Sequence, residues 1–600
     1  MLGTNRSSAT LTPMKVPDDN LRIRLGRIRN RGSRIRTNSF VGQVLNAAHK
    51  AGYVGHRTAP ARGQLRPSTL GRGRSVAAAR ARLLDPSRRV IVKARVVRHR
   101  SRAFRAAPLA THVAYLRREG VTRDGEMARM FDATSDCADD KAFARRCEGD
   151  RHHFRFVISP EDAGDMTDLK AFARDIIADM ERDLGSRLDW IGAAHWNTDN
   201  PHVHLLIRGK TDKDRDLVIS RDYISRGIRA RAEELVTIEL GPRSEHEVRS
   251  ALEREVDADR WTRLDATIRR QADDSGVVDL RLSAAGENAS AIRRLMIGRL
   301  QRLERMGLAS PGGPAQWTIA AEIEATLRDL GVRGDIIKTM HRAMTAQGID
   351  RALGDYAIHD PHAVPSVIGR LVDKGLHDEL AGEAYVVIDG ADGRSHYVRF
   401  ADLKAIEHAP PAGGIVEIRH LEGEGRERSR MVLATRSDLT IAAQVTASGA
   451  TWLDHQLLVR NPAFLSEGGF GREVRNALDA RVDHLVGDGL ARRQAQRVIF
   501  ARDLLETLRR RELNAAAARI ASETGLTYET FAEGETVAGV YRRRVTLASG
   551  RFAMIDDGLG FRLVPWQPAL ERRLGRQVSG VADGGGRIAW SFGRRRELGL

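Results

Sequence analysis

The residues best suited to chemistry are His195, His202 and His204, in the run His-Trp-Asn-Thr-Asp-Asn-Pro-His-Val-His-Leu-Leu-Ile-Arg from 195 to 208. The segments on either side of Asn-Thr-Asp-Asn-Pro are apolar and strand-like, and the five residues between them are turn chemistry, so the stretch reads as a β-hairpin. Side chains at i and i+2 of a strand share a face. His202 and His204 therefore project together, while Val203, Leu205 and Ile207 turn the other way into a core. His195, at the other mouth of the hairpin, comes within ligand reach of both. Three neutral imidazoles suit zinc, manganese or a similar ion and leave coordination positions open for a substrate oxygen. A His-x-His pair alone is commonplace on strands; the third histidine across a tight turn makes the pattern a candidate metal site. His152 and His153, at the head of the strand-like run His-His-Phe-Arg-Phe-Val-Ile-Ser-Pro, read as ordinary surface or edge positions.

Around this hairpin the sequence alternates strand and helix. Val90 to Val97 alternates like a strand, Ala110 to Glu119 reads as a short helix stopped by Gly120, and His153 to Ser159 gives a second strand. Leu169, Phe172, Ala173, Ile176, Ile177, Met180 and Leu184 recur at three and four, the buried face of an amphipathic helix. These elements imply an α+β fold, one antiparallel sheet covered by helices, over residues 89–245. Residues 246–355 follow as a helical segment. Its helix from Ser290, the stop at Gly307, a Gly-Gly-Pro turn and strand-like Gln316-Trp-Thr-Ile resemble a winged-helix module. A β-rich stretch over 356–465 and a helical plus β stretch over 466–600 with a basic tail complete the chain. No internal repeat and no phosphate-binding glycine loop stands out, so no ATP-driven helicase is implied.

Six hundred residues exceed what one core supports. Cys137 and Cys147 are the two cysteines, too few for a disulfide framework, which fits a reducing cytoplasm. There is no apolar signal core at the N-terminus and no apolar run of about 18 residues, so a soluble, cytoplasmic protein without membrane insertion is expected. The formal net charge is +19. Residues 1–105 alone carry 25 Lys and Arg against Asp18, Asp19 and Asp85, leaving the remainder slightly acidic. Such an arm, placed at 1–88, is an electrostatic footprint for nucleic acid. The plainer reading is a solvated, disordered arginine-rich tail, or sequence upstream of the true start.

Metal-bound histidines need a reaction partner. Tyr115 lies on the short helix amid Arg117, Arg118 and Arg123, cations that favour a phenolate over the ordinary pKa of about 10. The segment Tyr-Leu-Arg-Arg-Glu-Gly-Val-Thr-Arg-Asp-Gly from Tyr115, the strand Phe154-Arg-Phe-Val-Ile-Ser-Pro, the histidine hairpin, Arg221-Asp-Tyr-Ile and Glu239-Leu-Gly-Pro-Arg together resemble conjugative relaxases. These belong to the nucleases named for a His-hydrophobe-His (HUH) motif, here His202-Val203-His204. The resemblance is to mobilisation relaxases related to the T-DNA border endonuclease, among them proteins with a long C-terminal region of unknown function. Its motifs lie within residues 90–245, with the tyrosine before the histidines as in relaxases.

The resemblance implies a DNA nicking-closing enzyme acting at a plasmid or integrative-element transfer origin. Tyr115 would attack the scissile phosphate and form a 5′-phosphotyrosine. His195, His202 and His204 would hold a divalent ion, Mg, Mn or Zn, that stabilises the developing charge. Relatives often carry an acidic residue two positions after the first histidine; that position is Asn197, and Asp199 is the substitute for a catalytic role. Arg117, Arg118, Arg123 and Arg208 would contact DNA. Implied partners are single-stranded origin DNA, relaxosome accessory proteins and a type IV coupling protein, with the tail Ser591-Phe-Gly-Arg-Arg-Arg-Glu serving delivery through a type IV secretion system. Two alternatives stand: a rolling-circle replication initiator, and a non-catalytic DNA-binding protein with a structural metal site, which needs a fourth protein ligand not visible near the hairpin.

Overall fold

The computed structural model describes residues 83–99, 107–117, 127–196, 200–281, 287–360, 363–421, 430–494, 497–583 and 587–591. The basic arm up to residue 82, Arg118, Arg123, Asp199 and the tail from 592 lie outside them. The architecture is α+β. No helix among the described residues is long and apolar enough to cross a membrane.

The first sheet is built from β1 (Val90–Arg98), β2 (His152–Pro160), β3 (Trp190–His195) and β4 (His202–Arg208) in the order β1-β2-β4-β3, antiparallel throughout. Both of its faces are covered. On one, Phe154, Phe156 and Ile158 of β2 and Val203, Leu205 and Ile207 of β4 pack against α3 (Leu169–Leu184) and α4 (Ile228–Leu240). The helical spacing of Leu169, Phe172, Ile176 and Met180 dictates that contact. Asp168 caps the start of α3 by accepting the Lys170 N–H, and left-handed Gly185 ends it. On the other face, Leu109, Val113 and Leu116 of α1 (Ala107–Leu116) and Phe143 of α2 (Asp140–Arg146) meet Ile191, Ala193 and Leu206. Gly192 lets the chain around Phe131 approach β3: a Cβ there would lie 2.9 Å from Phe131 Cζ and 3.0 Å from the His204 carbonyl. The short helix thus begins three residues earlier than its sequence pattern suggests, with Leu109, Val113 and Leu116 as the stripe that meets the sheet.

His153 departs from the sequence reading. β2 lies inside the sheet, so His153 is buried rather than at a surface or edge, with its ring bonded to His99 Nε2 at 2.8 Å and accepting from Arg155 Nε at 3.1 Å. His152 is half-buried against the Leu217 carbonyl, 3.0 Å away.

Beyond residue 244 the chain holds an internal duplication that the sequence does not announce. The first copy runs through α5 (Glu245–Val256), α6 (Arg263–Gln271), β5 (Val277–Asp279), α7 (Glu287–Arg305), the hairpin β6 (Ala309–Gly313) and β7 (Gln316–Ile319), and α8 (Ile323–Ala346). It ends in a six-stranded sheet of β8 (Tyr356–Ile358), β9 (Ile368–Asp378), β10 (Glu383–Gly390), β11 (Ser395–Phe400), β12 (Ile415–Leu421) and β13 (Arg430–Ser437). The second copy runs through α9 (Ile441–Val445), α10 (Trp452–Leu458), α11 (Gly469–Gly487), the hairpin β14 (Ala491–Gln494) and β15 (Arg497–Phe500), and α12 (Leu504–Thr524). It ends in β16 (Thr527–Tyr528), β17 (Thr536–Leu547), β18 (Gly550–Asp556), β19 (Gly560–Pro565), β20 (Gln577–Ala582) and β21 (Ile588–Ser591). The sheet orders, β13-β12-β9-β10-β11-β8 and β21-β20-β17-β18-β19-β16, are the same topology. In each, the first short strand pairs in parallel with the fourth.

A buried arginine shows the equivalence atom by atom. Arg299 of α7 donates from Nε and Nη2 to both oxygens of Asp265, from Nη1 to the carbonyls of Val256 and Ala258, and from Nη2 also to Arg260, at 2.6–3.0 Å. Arg481 of α11 does the same to Asp454, Val445, Ala447 and Gly449, at 2.6–3.1 Å. Each aspartate belongs to a capping box with Thr262 or Thr451. All five guanidinium donors are thereby used, which is what permits a charge to sit fully buried. The following turns also match: Gly307 and Gly489 both have φ near +72°, each followed by Leu-Ala and a hairpin. The aspartate and arginine are 34 residues apart in the first copy and 27 in the second, so a fixed-period search slides past the match.

Removing one member of such a pair strands the other without water. Arg481→Met should destabilise its copy by about 3–5 kcal/mol. Hydrogen exchange should then rise across α9 to α12 and not across α5 to α8, and Arg299→Met should do the reverse. Unchanged exchange in either variant would show that the arginine does not fasten its module.

Candidate metal centre

The site begins with strand register. His195 is the last residue of β3 and pairs with His202, the first of β4, so the two histidines stand opposite each other at the end of the strand pair. Pleating puts His204 on the same face as His202, the face toward α1. All three rings are buried, with centroids 4.5, 4.9 and 5.4 Å apart. Backbone carbonyls orient two of them. His195 Nε2 bonds the Leu116 carbonyl at 2.8 Å, which leaves Nδ1 as the atom it could offer a metal, and His202 Nδ1 bonds the Asn200 carbonyl at 3.0 Å, which turns Nε2 inward. Fixing the tautomer through the second nitrogen is how ligating histidines are commonly held.

A fourth group arrives from far along the chain. Glu379, in the turn between β9 and β10, places Oε2 3.3 Å from His202 Nε2 and 3.2 Å from His204 Nε2, and those two nitrogens are 3.1 Å apart. Four ligands at about 2.0–2.1 Å around a tetrahedral ion would be separated by about 3.3 Å. With His195, one ligand atom from each residue lies within 4.8 Å of every other, so these four residues can hold one metal ion. The donor set fits: imidazole nitrogens and one carboxylate suit a borderline divalent ion. Burial pushes the Glu379 carboxyl up, but His204 and His202 beside it outweigh burial and hold it well below the usual carboxylate range.

Cationic and aromatic groups surround the cluster. Tyr115 of α1 is half-buried, and its hydroxyl oxygen accepts the Leu376 N–H at 2.9 Å. Its helix is tied to the cluster by the adjacent residue, Leu116, through the His195 bond. One turn earlier on α1, buried His112 has an Nδ1 without a hydrogen-bond partner among the described residues. Burial, then Arg155 and His204, push His112 well below the usual imidazole range. Burial lowers the Arg155 guanidinium to about 10, with Arg95 adding, so it remains a cation at neutral pH. A cavity of about 380 Å³ opens here, lined by Arg95, Arg98, His112, Arg155 and Asp402 and by the backbone of Gly382.

The structure therefore brings together His195, His202 and His204, with the helix of Tyr115 alongside. Arg117 pairs with Asp140 at 3.0 Å, and Arg208 forms a two-pronged pair with buried Asp150 at 2.8 and 3.1 Å. Nothing in the sequence near Glu379 marks it as a ligand. Its only local signal is the turn chemistry of Asp378-Glu-Leu-Ala-Gly, and turns of that kind occur throughout the chain.

Residues 296–438 and 424–599, together more than half of the chain, match the family described as Protein of unknown function (DUF3363). The chain belongs to the DUF3363 family. No curated protein and no solved structure matches it. Glu379 lies within the DUF3363 match and the three histidines lie before it, so the centre is assembled across that boundary.

His202→Ala combined with His204→Ala should abolish stoichiometric metal binding. The affinity loss should exceed the roughly 10–100-fold typical of removing a group that merely supports a ligand. Elemental analysis of protein stripped with chelator and reloaded reads the result; full occupancy in the double variant would refute the centre.

Proposed function

We propose that this protein is a metal-dependent DNA strand transesterase, a relaxase that nicks and reseals one strand at a transfer origin with Tyr115 as nucleophile. The observation that carries the reading is the bond from His195 Nε2 to the carbonyl of Leu116, the residue next to Tyr115, which couples the tyrosine's helix to a cluster of three imidazoles. A divalent ion on these ligands would supply Lewis-acid polarisation of a phosphate's non-bridging oxygens. Tyr115 Oη would bond to phosphorus as its proton leaves, the bond from phosphorus to the 3′ oxygen would break, and that oxygen would take up a proton. The phosphodiester is conserved as a 5′-phosphotyrosine, so attack by a 3′-hydroxyl reverses the step without ATP. Arg155 and Arg95 stand where they would attract the polyanionic backbone.

One observation favours a second reading. Glu379 completes a four-ligand set, as in a closed structural centre, and a permanent ion there would serve only to fasten the DUF3363 region to the histidine hairpin.

Tyr115→Phe removes one oxygen and little volume. Incubated with the element's own origin oligonucleotide and a divalent metal, the unsubstituted protein should yield a DNA–peptide adduct at Tyr115, while the variant should form none and bind the oligonucleotide within about threefold of normal. An adduct that persists in the variant, or maps to Tyr53 or Tyr223, would refute the assignment.

A further inference from the structure

A single turn of the DUF3363 region touches both groups on which the proposed chemistry depends. After β9, Asp378 Oδ1 accepts the N–H groups of Leu380 and Ala381, each at 2.9 Å, and the Asp378 carbonyl accepts the Gly382 N–H at 2.8 Å. Gly382 closes the turn in the left-handed region, with φ of +77°. Held this way, Glu379 presents its carboxylate to His202 and His204. Just before the turn, the Leu376 N–H donates to the Tyr115 hydroxyl. Within it, the Leu380 carbonyl lies 3.5 Å from Arg155 Nη1. Chemically, the turn offers the cluster an anionic oxygen and offers the neighbouring arginine an acceptor, which are the two things a phosphodiester would offer.

The duplication isolates this feature. In the second copy the corresponding strands, β17 and β18, are joined by Ala548 and Ser549 alone, and both of their N–H groups donate to Glu512 of the same copy's own α12. The first copy's connection is the longer one, Glu379 to Gly382, and it reaches out of its module instead.

We infer that Glu379 is an exchangeable fourth ligand: it closes the metal centre at rest, and a phosphate oxygen replaces it when substrate enters through the adjoining basic cavity. This rests on the phosphoryl-transfer reading above and gives the DUF3363 region a role, control of access to the centre. Three features favour exchange over permanence. Catalytic centres commonly take three protein ligands and leave one position for water or substrate, and the hairpin supplies those three by itself. The fourth donor comes from a turn and not from a strand of the same sheet. The cavity beside it is lined by three arginines, Arg95, Arg98 and Arg155, against one carboxylate, Asp402, a net positive setting that draws an anion in.

The test uses the full-length protein loaded with cobalt(II), whose visible spectrum reports the ligand set, and inorganic phosphate as the probe. Glu379→Ala should retain stoichiometric cobalt on its three imidazoles, and its spectrum should respond to phosphate at a concentration at least tenfold lower than the unsubstituted protein requires. Glu379→Gln, which preserves the shape of the turn, should behave in the same direction. Loss of cobalt from both variants would make Glu379 a permanent ligand and overturn the inference, as would identical phosphate responses in all three proteins. This readout contains no DNA chemistry. Unsubstituted protein that formed no DNA–peptide adduct with metal and origin oligonucleotide would therefore sink the relaxase reading while leaving ligand exchange standing.

Discussion

Three imidazoles buried together on one face of a sheet are costly unless something satisfies their nitrogens, and the rest of the structure follows from that demand. The pairing of His195 with His202 brings the rings together, and a one-residue slip of β4 would send His202 and His204 into the core now filled by Val203, Leu205 and Ile207. Carbonyls of Leu116 and Asn200 take the outward nitrogens, and the inward ones converge with the Glu379 carboxylate. A cation at the centre would neutralise the carboxylate and use the lone pairs in a single step.

That demand also explains why the family region and the histidine hairpin meet. The DUF3363 match begins within α7, yet one of its turns completes a site whose other ligands precede it. The duplicated modules are fastened internally by buried Arg299 and Arg481, each with five donors in use, so a turn at the end of β9 is carried on a firm support. Tyr115, bonded to Leu376, and Arg155, beside Leu380, meet the same turn.

Much of the hairpin's chemistry was legible because it is local. A two-residue period, a turn rich in Asn and Asp, and three histidines on one connection mark candidate ligands without knowledge of the rest of the fold, and the apolar stripe of α3 likewise announces its face. What was not legible depends on distant pairing. His153 looks like an edge residue until β4 is known to lie beyond β2. Glu379 is one acidic residue among 79 Asp and Glu, and only tertiary contact distinguishes it. The duplication escaped for a related reason: it is preserved in a hydrogen-bond pattern and a strand order, while the intervals between the matching residues changed. The winged-helix likeness concerned the helix, glycine and hairpin of one copy, a unit the chain uses twice.

The claim that these four residues form one metal centre is tested most directly by X-ray absorption at the edge of whatever metal copurifies with the full-length protein. The account predicts stoichiometric metal with only nitrogen and oxygen neighbours at about 2.0–2.1 Å and the outer-shell scattering of three imidazoles. Sulfur in the shell, fewer than three imidazoles, or a protein that holds no divalent ion after metal is supplied would contradict it.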